Sequence, residues 1–395
     1  MATPDPIPVS TSVLERPAAN LLVMAAAMPA DQFESLLANL SAAFPAEGLL
    51  VATQNEFASG AFPDLRIVLA PPTGAAWTST AADFVNAFEL AREENVRGVL
   101  MLGPGSNSLN AAALRALAGA VLSSTVDLAV PFYVLPPYAG LMNSAILYPL
   151  TRTLFASRIR FPQAIDLCLS LRMAERLAAA AHRIASTNQP NALIWPVNEA
   201  VAAGYAMDEF DVGPRALPQP ADVDVNAILS LVTGSLFADV ESKAALWQRA
   251  RRLPPPRRPL HDLTKTEGAP DIARMIESFR FAYNNLQEIW SLVLPPNSLL
   301  GLKRLSVTDA AEFRMPDPLW ARIVFDFLIA FRLRTINRGH LLGALIPLYL
   351  AWVAGHINIT AAGISSERHI EAVAAAFEAD KPYMVSRWRW PDRFK

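Results

Sequence analysis

Lysine is missing from this 395-residue chain before Lys243, and cysteine occurs only once. Without a lysine, the first half cannot contain a Walker-type phosphate loop, whose lysine contacts the β- and γ-phosphates of a nucleotide. The single Cys168 cannot form an internal disulfide. Its place in an apolar Leu-Cys-Leu run favours core packing over reactivity, which fits a reducing compartment.

An excess of charge of either sign is also absent, with 34 basic and 36 acidic residues and a pI near 6.2, so nucleic-acid binding is not expected. Residues 1–17 carry acidic Asp5 and Glu15 and no lysine, unlike the start of a signal peptide. The longest apolar run near the C-terminus, residues 341–355, contains Pro347 and falls short of the ~20 residues of a membrane span. We therefore predict a cytoplasmic protein without a membrane span.

Motifs of several common enzyme classes are missing as well. The chain has no Gly-x-Ser-x-Gly sequence, and the loop after the first predicted strand is Ala-Ala-Ala-Met-Pro, not a Gly-x-Gly-x-x-Gly turn. The five histidines show no metal-ligand spacing. Hydrolase and dehydrogenase functions are therefore not favoured.

What the sequence does contain is an alternation of short apolar runs and amphipathic helical patterns. The pattern predicts strands at 21–26, 49–53, 66–70, 99–102 and 127–134, and helices at 32–44, 81–94, 111–122 and 171–185. Such alternation is typical of an α/β fold with a mostly parallel sheet and helices on both faces. Ligands of such sheets bind at the carboxyl ends of the strands, here the loops after residues 26, 53, 70 and 102.

The second half has a different pattern, which is nearly all helical. Helices are predicted at 270–292, 318–336, 340–354 and 367–379, after a basic proline-rich connector at 251–258. We therefore divide the chain into an extended or disordered tail at 1–18, an α/β domain at 19–225 and a helical domain at 226–395.

Two segments resemble a known family. Residues 140–152 read Gly-Leu-Met-Asn-Ser-Ala-Ile-Leu-Tyr-Pro-Leu-Thr-Arg, and they are followed by Arg-Ile-Arg-Phe-Pro at 158–162 and by Asp166. This run resembles the central segment of the GT-A retaining glycosyltransferases related to mannosylglycerate and glucosylglycerate synthases. Residues 315–327, 337–342 and 347–350 are similar to the helical C-terminal region of the same group. The resemblance implies a GT-A fold and a sugar-nucleotide ligand.

The family's chemical motifs can be checked position by position. Its metal-binding Asp-x-Asp falls on Gly-Pro-Gly, with Gly103 and Gly105 at the carboxylate positions, and its donor-phosphate lysine falls near Ser79-Thr80-Ala81. The late carboxylate before an Ile-Trp pair matches Leu193, and the histidine of the metal shell matches Asp211. We therefore expect no cofactor, because the Mg²⁺ or Mn²⁺ site implied by the resemblance is lost.

The remaining polar residues of the two segments are candidates for ligand binding, and no catalytic residue is assigned. Asp166 orients an acceptor hydroxyl, or else pairs with Arg158 or Arg160 for structure. Tyr148 and Arg152, four residues apart, line a pocket or simply pack. Arg158 and Asp211 are candidates for ligand binding as well. Arg338 and His340 complete the set, and they either form a basic cluster for a phosphate or carboxylate or pair with nearby acids.

Two functions of different classes follow. The first is a glycosyltransferase that moves sugar from a nucleotide sugar to a small or lipid-like acceptor without a metal. The second is an inactive pseudo-glycosyltransferase that serves as a binding or scaffolding partner. Its ligand would be a nucleotide sugar or a sugar, and its C-terminal helices would bind a protein partner or a second copy of the chain. The loss of the metal pair, the lysine and the late carboxylate together favours the second.

Overall fold

The structure is a computed structural model that describes residues 19–391, except 46–47, 55–61, 63–64, 71–77, 187–192, 216, 218–223 and 251–270. Its centre is a seven-stranded sheet with the strand order β3-β2-β1-β4-β6-β5-β7. The strands are β1 Leu21–Ala25, β2 Leu49–Thr53, β3 Leu65–Leu69, β4 Gly98–Leu102, β5 Leu128–Val134, β6 Leu167–Ser170 and β7 Met207–Pro214. Only β6 runs antiparallel to its neighbours within this sheet, pairing with both β4 and β5.

The middle of the sheet is buried on both faces, as parallel sheets covered by helices are. Every residue of β2 and β4 is buried, and both strands are nearly continuous apolar runs. β1 lies between them, with Leu22 opposite Leu50 on one side and Val99 on the other. Since β1, β2 and β4 run in the same direction, their carboxyl ends meet at one edge.

Helices cover the two faces of this sheet. They are α1 Ala30–Ala43, α2 Ala81–Glu93, α3 Ala111–Leu122, α5 Leu171–Ser186 and α6 Pro196–Ala203. The same part of the chain also contains the helix α4 Tyr148–Phe155. α1 packs against α3, and α2 packs against α5, which gives one pair for each face. A π-helical turn, Asn143–Leu147, leads directly into α4.

The C-terminal part is helical throughout the described residues. Its helices are α7 Val225–Ser242, α8 Ala244–Trp247, α9 Ile272–Asn285, α10 Gln287–Val293, α11 Pro296–Ser306, α12 Asp317–Leu333, α13 Arg338–Ala361 and α14 Ser366–Arg389. They enclose a second hydrophobic core with several buried tryptophans, among them Trp290, Trp320 and Trp352. Trp388 joins this core and meets Trp247 at a ring-centroid distance of 5.1 Å.

The helix α4 belongs to the second core and not to the core of the sheet. Leu150, Leu154 and Phe155 pack with the C-terminal helices, and the indole of Trp320 donates a hydrogen bond to the carbonyl of Ala145. The two parts are therefore joined through this segment by buried contacts. The division at residue 225 stays a prediction.

The fold class expected from the sequence is confirmed: a mostly parallel sheet with helices on both faces, followed by a helical region. The strands at 49–53 and the helix at 111–122 have the predicted bounds. The helix predicted at 270–292 is instead two helices that meet at Leu286. The tail at 1–18 and the connector at 251–258 lie outside the described residues.

Among the described helices, one is long and apolar enough to span a membrane by length and composition alone. This is α13, which continues through Pro347, and 72% of its most apolar stretch is buried inside the fold. The burial is that of a core helix, as predicted for residues 341–355.

Candidate functional site

The cleft that the sequence analysis pointed to lies where β1, β2 and β4 end. Its described walls are mainly glycine and aliphatic side chains, including Met101, Leu102 and Gly103, and its volume is about 60 Å³. Sites for small molecules usually enclose about 300–1,000 Å³. The described part of this cleft is therefore smaller than a usual small-molecule site.

The N-terminus of α2 borders the cleft and carries a carboxylate. Thr80 caps the helix, its hydroxyl accepting from the Asp83 backbone N–H, while the Asp83 carboxylate accepts from the Thr80 backbone N–H at 2.6 Å. A helix N-terminus attracts anions through its free N–H groups and its dipole. Here the anion is the protein's own carboxylate, close to where the resemblance places a donor-phosphate lysine.

A second carboxylate, Asp166, lies beneath the cleft and is completely buried. Its Oδ2 accepts hydrogen bonds from the Tyr133 hydroxyl at 2.8 Å and from Arg215 Nε at 3.0 Å. Its Oδ1 accepts from the Gly103 N–H at 3.0 Å and from Arg215 Nη2 at 3.3 Å. The same Nη2 also donates to the carbonyl of Pro104 at 2.8 Å.

This Asp166 cluster, made of Asp166, Tyr133, Arg215 and Gly103, ties together the ends of four strands. Asp166 precedes β6, Tyr133 is on β5, Arg215 follows β7, and Gly103 follows β4. Burial is the main reason why the pKa of Tyr133 is well above its usual range, and the nearby Asp166 charge adds to it. A carboxylate whose two oxygens accept four hydrogen bonds in the protein interior is a structural group rather than an available base.

The expected partners of Asp166 were therefore wrong. Neither Arg158 nor Arg160 pairs with it; the partner is Arg215, whose side chain is as fully buried as that of Asp166. Arg158 is exposed. Arg160 is buried and its guanidinium pairs with Glu367 at 2.9 Å.

Tyr148 and Arg152 do lie together, as their spacing predicted, but they face α14. The Tyr148 hydroxyl donates to Glu371 at 2.7 Å, and Arg152 pairs with Glu371 at 2.5 Å and with Glu378 at 3.0 Å. Arg152 also donates to the Tyr148 hydroxyl at 2.9 Å. These residues join the α4 segment to the C-terminal helix through one buried and one partly buried ion pair.

The other candidates do not converge on the cleft. Asp211 is exposed on the edge strand β7, where its carboxylate accepts from the Gly213 N–H at 2.9 Å. Arg338 pairs with Glu241 at 2.9 Å and stacks over Phe331. His340 is exposed in the first turn of α13. Ligand binding by these residues stays a prediction.

The residues present do not fit the divalent metal that the resemblance implies. Hard cations take several oxygen ligands, mostly carboxylates. The one carboxylate on the described walls of the cleft, Asp83, is held in a helix cap, and Asp166 is turned toward Arg215. Within the described residues, no group of three or more histidine, cysteine or acidic side chains is arranged to hold a metal.

Sequence reasoning missed two members of the Asp166 cluster. Tyr133 and Arg215 are polar residues at the ends of strands, and that position is the signal that would have drawn attention to them. It also missed a buried histidine pair in the helical part, in which His356 Nδ1 lies 2.7 Å from His369 Nδ1. Asp317 accepts from His369 at 3.1 Å, and burial is the main reason why the pKa of His356 falls to about 3.

No protein-family model matches the sequence, and no curated protein matches it. Among solved structures, glucosyl-3-phosphoglycerate synthase from Mycobacterium tuberculosis in complex with phosphoglyceric acid is similar at 12% identity and a TM-score of 0.37. That match covers 58% of this chain and 81% of the other. The same enzyme with Mn²⁺, UDP-glucose and phosphoglyceric acid is similar at 11% identity and a TM-score of 0.36, over 58% and 80% of the two chains.

A further solved structure, described as a mycobacterial protein, is similar at 12% identity and a TM-score of 0.37, over 58% of this chain and 76% of that one. Likenesses of this size identify no activity. The residues of this chain have to carry the functional assignment.

Proposed function

We propose that this chain is a glycosyltransferase-like protein that does not catalyse metal-dependent sugar transfer and uses its fold as a binding or scaffolding module. The observation that supports this proposal is the chemistry of the strand-end cleft. Its described walls are small and mostly apolar, and its single carboxylate, Asp83, occupies the helix N-terminus. A nucleoside diphosphate would meet this negative charge, and the described walls carry no basic side chain to balance it.

The size of the electrostatic loss supports inactivity rather than a slow enzyme. Removing one preorganised group that stabilises a transition state costs ~3 kcal/mol, roughly a hundredfold or more in rate. By resemblance, this chain lacks a metal pair, a lysine and a late carboxylate. Such losses are not additive, but their combination supports a large fall in the rate at which a diphosphate could leave.

Calorimetric titration of the full chain tests the proposal. UDP-glucose and GDP-mannose are titrated with and without Mn²⁺ or Mg²⁺, and transfer and hydrolysis are followed in parallel. We expect neither metal-dependent binding nor turnover. Metal-dependent binding of either nucleotide sugar, or turnover that requires the ion, would contradict the proposal.

Asp83→Asn is the informative variant for this experiment. The amide oxygen can still accept from the Thr80 N–H, so the cap is kept while the negative charge is removed. If the cleft binds a diphosphate without a metal, this variant should bind more tightly than the parent. If neither protein binds, the cleft is not a nucleotide site.

The alternative is sugar transfer without a metal, from a nucleotide sugar to a small or lipid-like acceptor. Neutral polar residues on the cleft wall favour it, since Gln54, Thr78 and Ser79 bring hydrogen-bonding groups suited to an uncharged sugar. Metal-independent binding together with product formation would establish this alternative. Binding of the nucleotide sugar without product formation would instead support the role as a binding module.

A partner-binding role is supported by exposed apolar side chains on the C-terminal helices. Phe281 on α9 is 73% exposed and Val307 after α11 is 80% exposed. Arg280, next to Phe281, donates hydrogen bonds to the carbonyls of Ser306 and Thr308, which flank Val307. We propose that this surface binds a partner protein or a second copy of the chain.

Sedimentation velocity distinguishes these two occupants. If the surface joins two copies, the parent sediments as a dimer and the Phe281→Ser, Val307→Ser double variant as a monomer. If the parent is monomeric, the proposed self-association is wrong. The cytoplasmic location stays a prediction.

A further inference from the structure

A second and much larger cavity lies away from the cleft. It is a groove between the helices α5 and α6 of the sheet part and α7 and the α12–α13 junction of the helical part, with a volume of about 700 Å³. We call it the interhelical groove. None of its lining residues lines the strand-end cleft. Its volume lies in the range of about 300–1,000 Å³ that small-molecule sites occupy.

The interhelical groove has more positive than negative side chains. Three acidic residues line it, Glu199, Asp239 and Glu241. The basic side chains on its walls are Arg176, Arg183, Lys243, Arg334 and Arg338. The difference is two formal positive charges. In magnitude it matches, to within about half a unit, the negative charge that a phosphate monoester carries at neutral pH.

The three acids are already engaged by the basic residues of the groove. Lys243 lies between Glu199, at 2.9 Å, and Asp239, to which it is also paired. Arg176 contacts Glu199 at 2.7 Å, and Arg338 contacts Glu241 at 2.9 Å. Arg183 also lies 3.6 Å from Glu199, so the groove's described carboxylates are shared among several basic residues and the formal surplus of positive charge remains.

Arg334 is the residue that the ion-pair network does not explain. Its guanidinium has no hydrogen bond or ion pair among the described residues, although the residue lines the groove. It also ends α12 in the left-handed conformation, at φ 54° and ψ 38°. Glycine is the usual residue there, because a Cβ is disfavoured at positive φ. The backbone conformation therefore disfavours arginine at this position. A role for its positive charge in binding a ligand would explain why arginine is found there.

The walls of the groove between these charges are small and apolar. Ala180, Ile184, Leu193 and Ala202 contribute to them. A ligand that fills the groove therefore combines an anionic end with an uncharged, mostly apolar body. This division of polarity is the usual one for a small-molecule site.

We infer that the interhelical groove binds a small organic phosphate monoester. The dianionic group lies against Arg334, with Arg183 and Arg338 on the same groove walls, and the organic body lies along the aliphatic side chains. Guanidinium groups suit this role because their N–H groups match the geometry of phosphate oxygens. The site is independent of the strand-end cleft, so its test does not depend on the fate of a nucleotide sugar.

Titration of the full chain with phenyl phosphate, at low and at high salt, tests the inference. We expect saturable binding that weakens as salt rises, weaker binding of inorganic phosphate and none of phenol. Absence of phenyl phosphate binding would overturn the inference. Equal affinity for inorganic phosphate would overturn the assignment of an organic monoester, because the body would then contribute nothing.

Arg334→Gly separates a ligand role from a structural one. Glycine suits the left-handed backbone, so the variant should melt at the same temperature as the parent or higher. Its affinity for phenyl phosphate should nevertheless fall at least tenfold, while Arg334→Lys should keep most of it. Arg304→Gln, which changes an exposed arginine on α11 outside the groove, serves as the matched control and should bind like the parent. Unchanged affinity in Arg334→Gly would contradict the inference.

Discussion

Replacing Asp166 with asparagine tests whether the buried carboxylate is a structural group. The substitution keeps the size of the side chain but removes its charge, so the buried Arg215 guanidinium loses the negative charge of its partner. Asparagine has one acceptor oxygen where the carboxylate has two. Its amide nitrogen, itself a donor, would replace an oxygen that now accepts hydrogen bonds from other donors. Either orientation of the amide leaves part of the cluster unsatisfied.

The expected cost follows from the burial of both partners. Removing one member of a fully buried ion pair destabilises a protein by about 3–5 kcal/mol, because the remaining charge is uncompensated. With about 2–4 °C per kcal/mol for a domain of 150–250 residues, the unfolding midpoint should fall by about 6–20 °C. The loss is a large part of a typical total stability of about 5–15 kcal/mol.

Thermal unfolding followed by circular dichroism measures this effect. Asp309→Asn is the matched control, since Asp309 is exposed and the same chemical change there should shift the midpoint very little. The double variant Asp166→Leu, Arg215→Met removes both charges together. It should be clearly more stable than Arg215→Met alone, because no buried charge is left unpaired.

Two results would refute this reasoning. An Asp166→Asn protein that melts within about 2 °C of the parent would show that the pair contributes little, well below the expected range for a buried ion pair. A variant of parental stability that loses a sugar-transfer activity measured in the parent would make Asp166 an acceptor-site residue instead.

Three further predictions concern other buried groups. Burial raises the pKa of Asp326 to about 7, whereas the unfolded carboxyl ionises near 3.8. Between about pH 4 and 7 the folded chain therefore keeps a proton that the unfolded chain releases, so the unfolding free energy should fall as pH rises through this range. Asp326→Asn should remove this fall, which is up to about 4 kcal/mol, in urea titrations at each pH. Arg152→Met should cost about 3 kcal/mol, because it removes a buried guanidinium that pairs with Glu371 and Glu378. Arg66→Met, in a partly exposed pair, should cost about 1 kcal/mol or less, and equal losses would contradict this. A Cβ at Gly103 would lie 2.9 Å from an isoleucine side chain, so Gly103→Ala should lower the melting temperature, whereas Gly119→Ala, with open space in α3, should raise it.

The strands that could be predicted are those made of consecutive apolar residues. β1, β2 and β4 are apolar runs of five residues, which only a strand covered on both faces accommodates. β7, which reads Met-Asp-Glu-Phe-Asp-Val-Gly-Pro, was not predicted. It lies at the edge of the sheet, where most of its side chains are at least partly exposed, and no hydrophobic period marks it.

Pairing partners were the part of the site that sequence could not supply. Asp166 was expected to pair with an arginine a few residues away, yet its partner lies 49 residues away. The nearby Arg160 pairs instead with Glu367, which is 207 residues away in the sequence. Which arginine reaches a buried carboxylate depends on how the strand ends and α14 pack, and a single sequence does not record that packing.

The polar residues of the segment that resembles a glycosyltransferase have partners within the chain. Tyr148, Arg152 and Arg160 bond to carboxylates of α14 at positions 367, 371 and 378, four and seven residues apart and therefore on one helical face. Three polar groups that would line a ligand pocket are thus occupied by one face of the C-terminal helix. A sugar acceptor that used them would have to displace α14 and give up the pairing of Arg152 with the Glu378 carboxylate, which is 5% exposed. A ligand bound there would replace charged contacts that these residues already make within the protein, so the geometry favours the packing role.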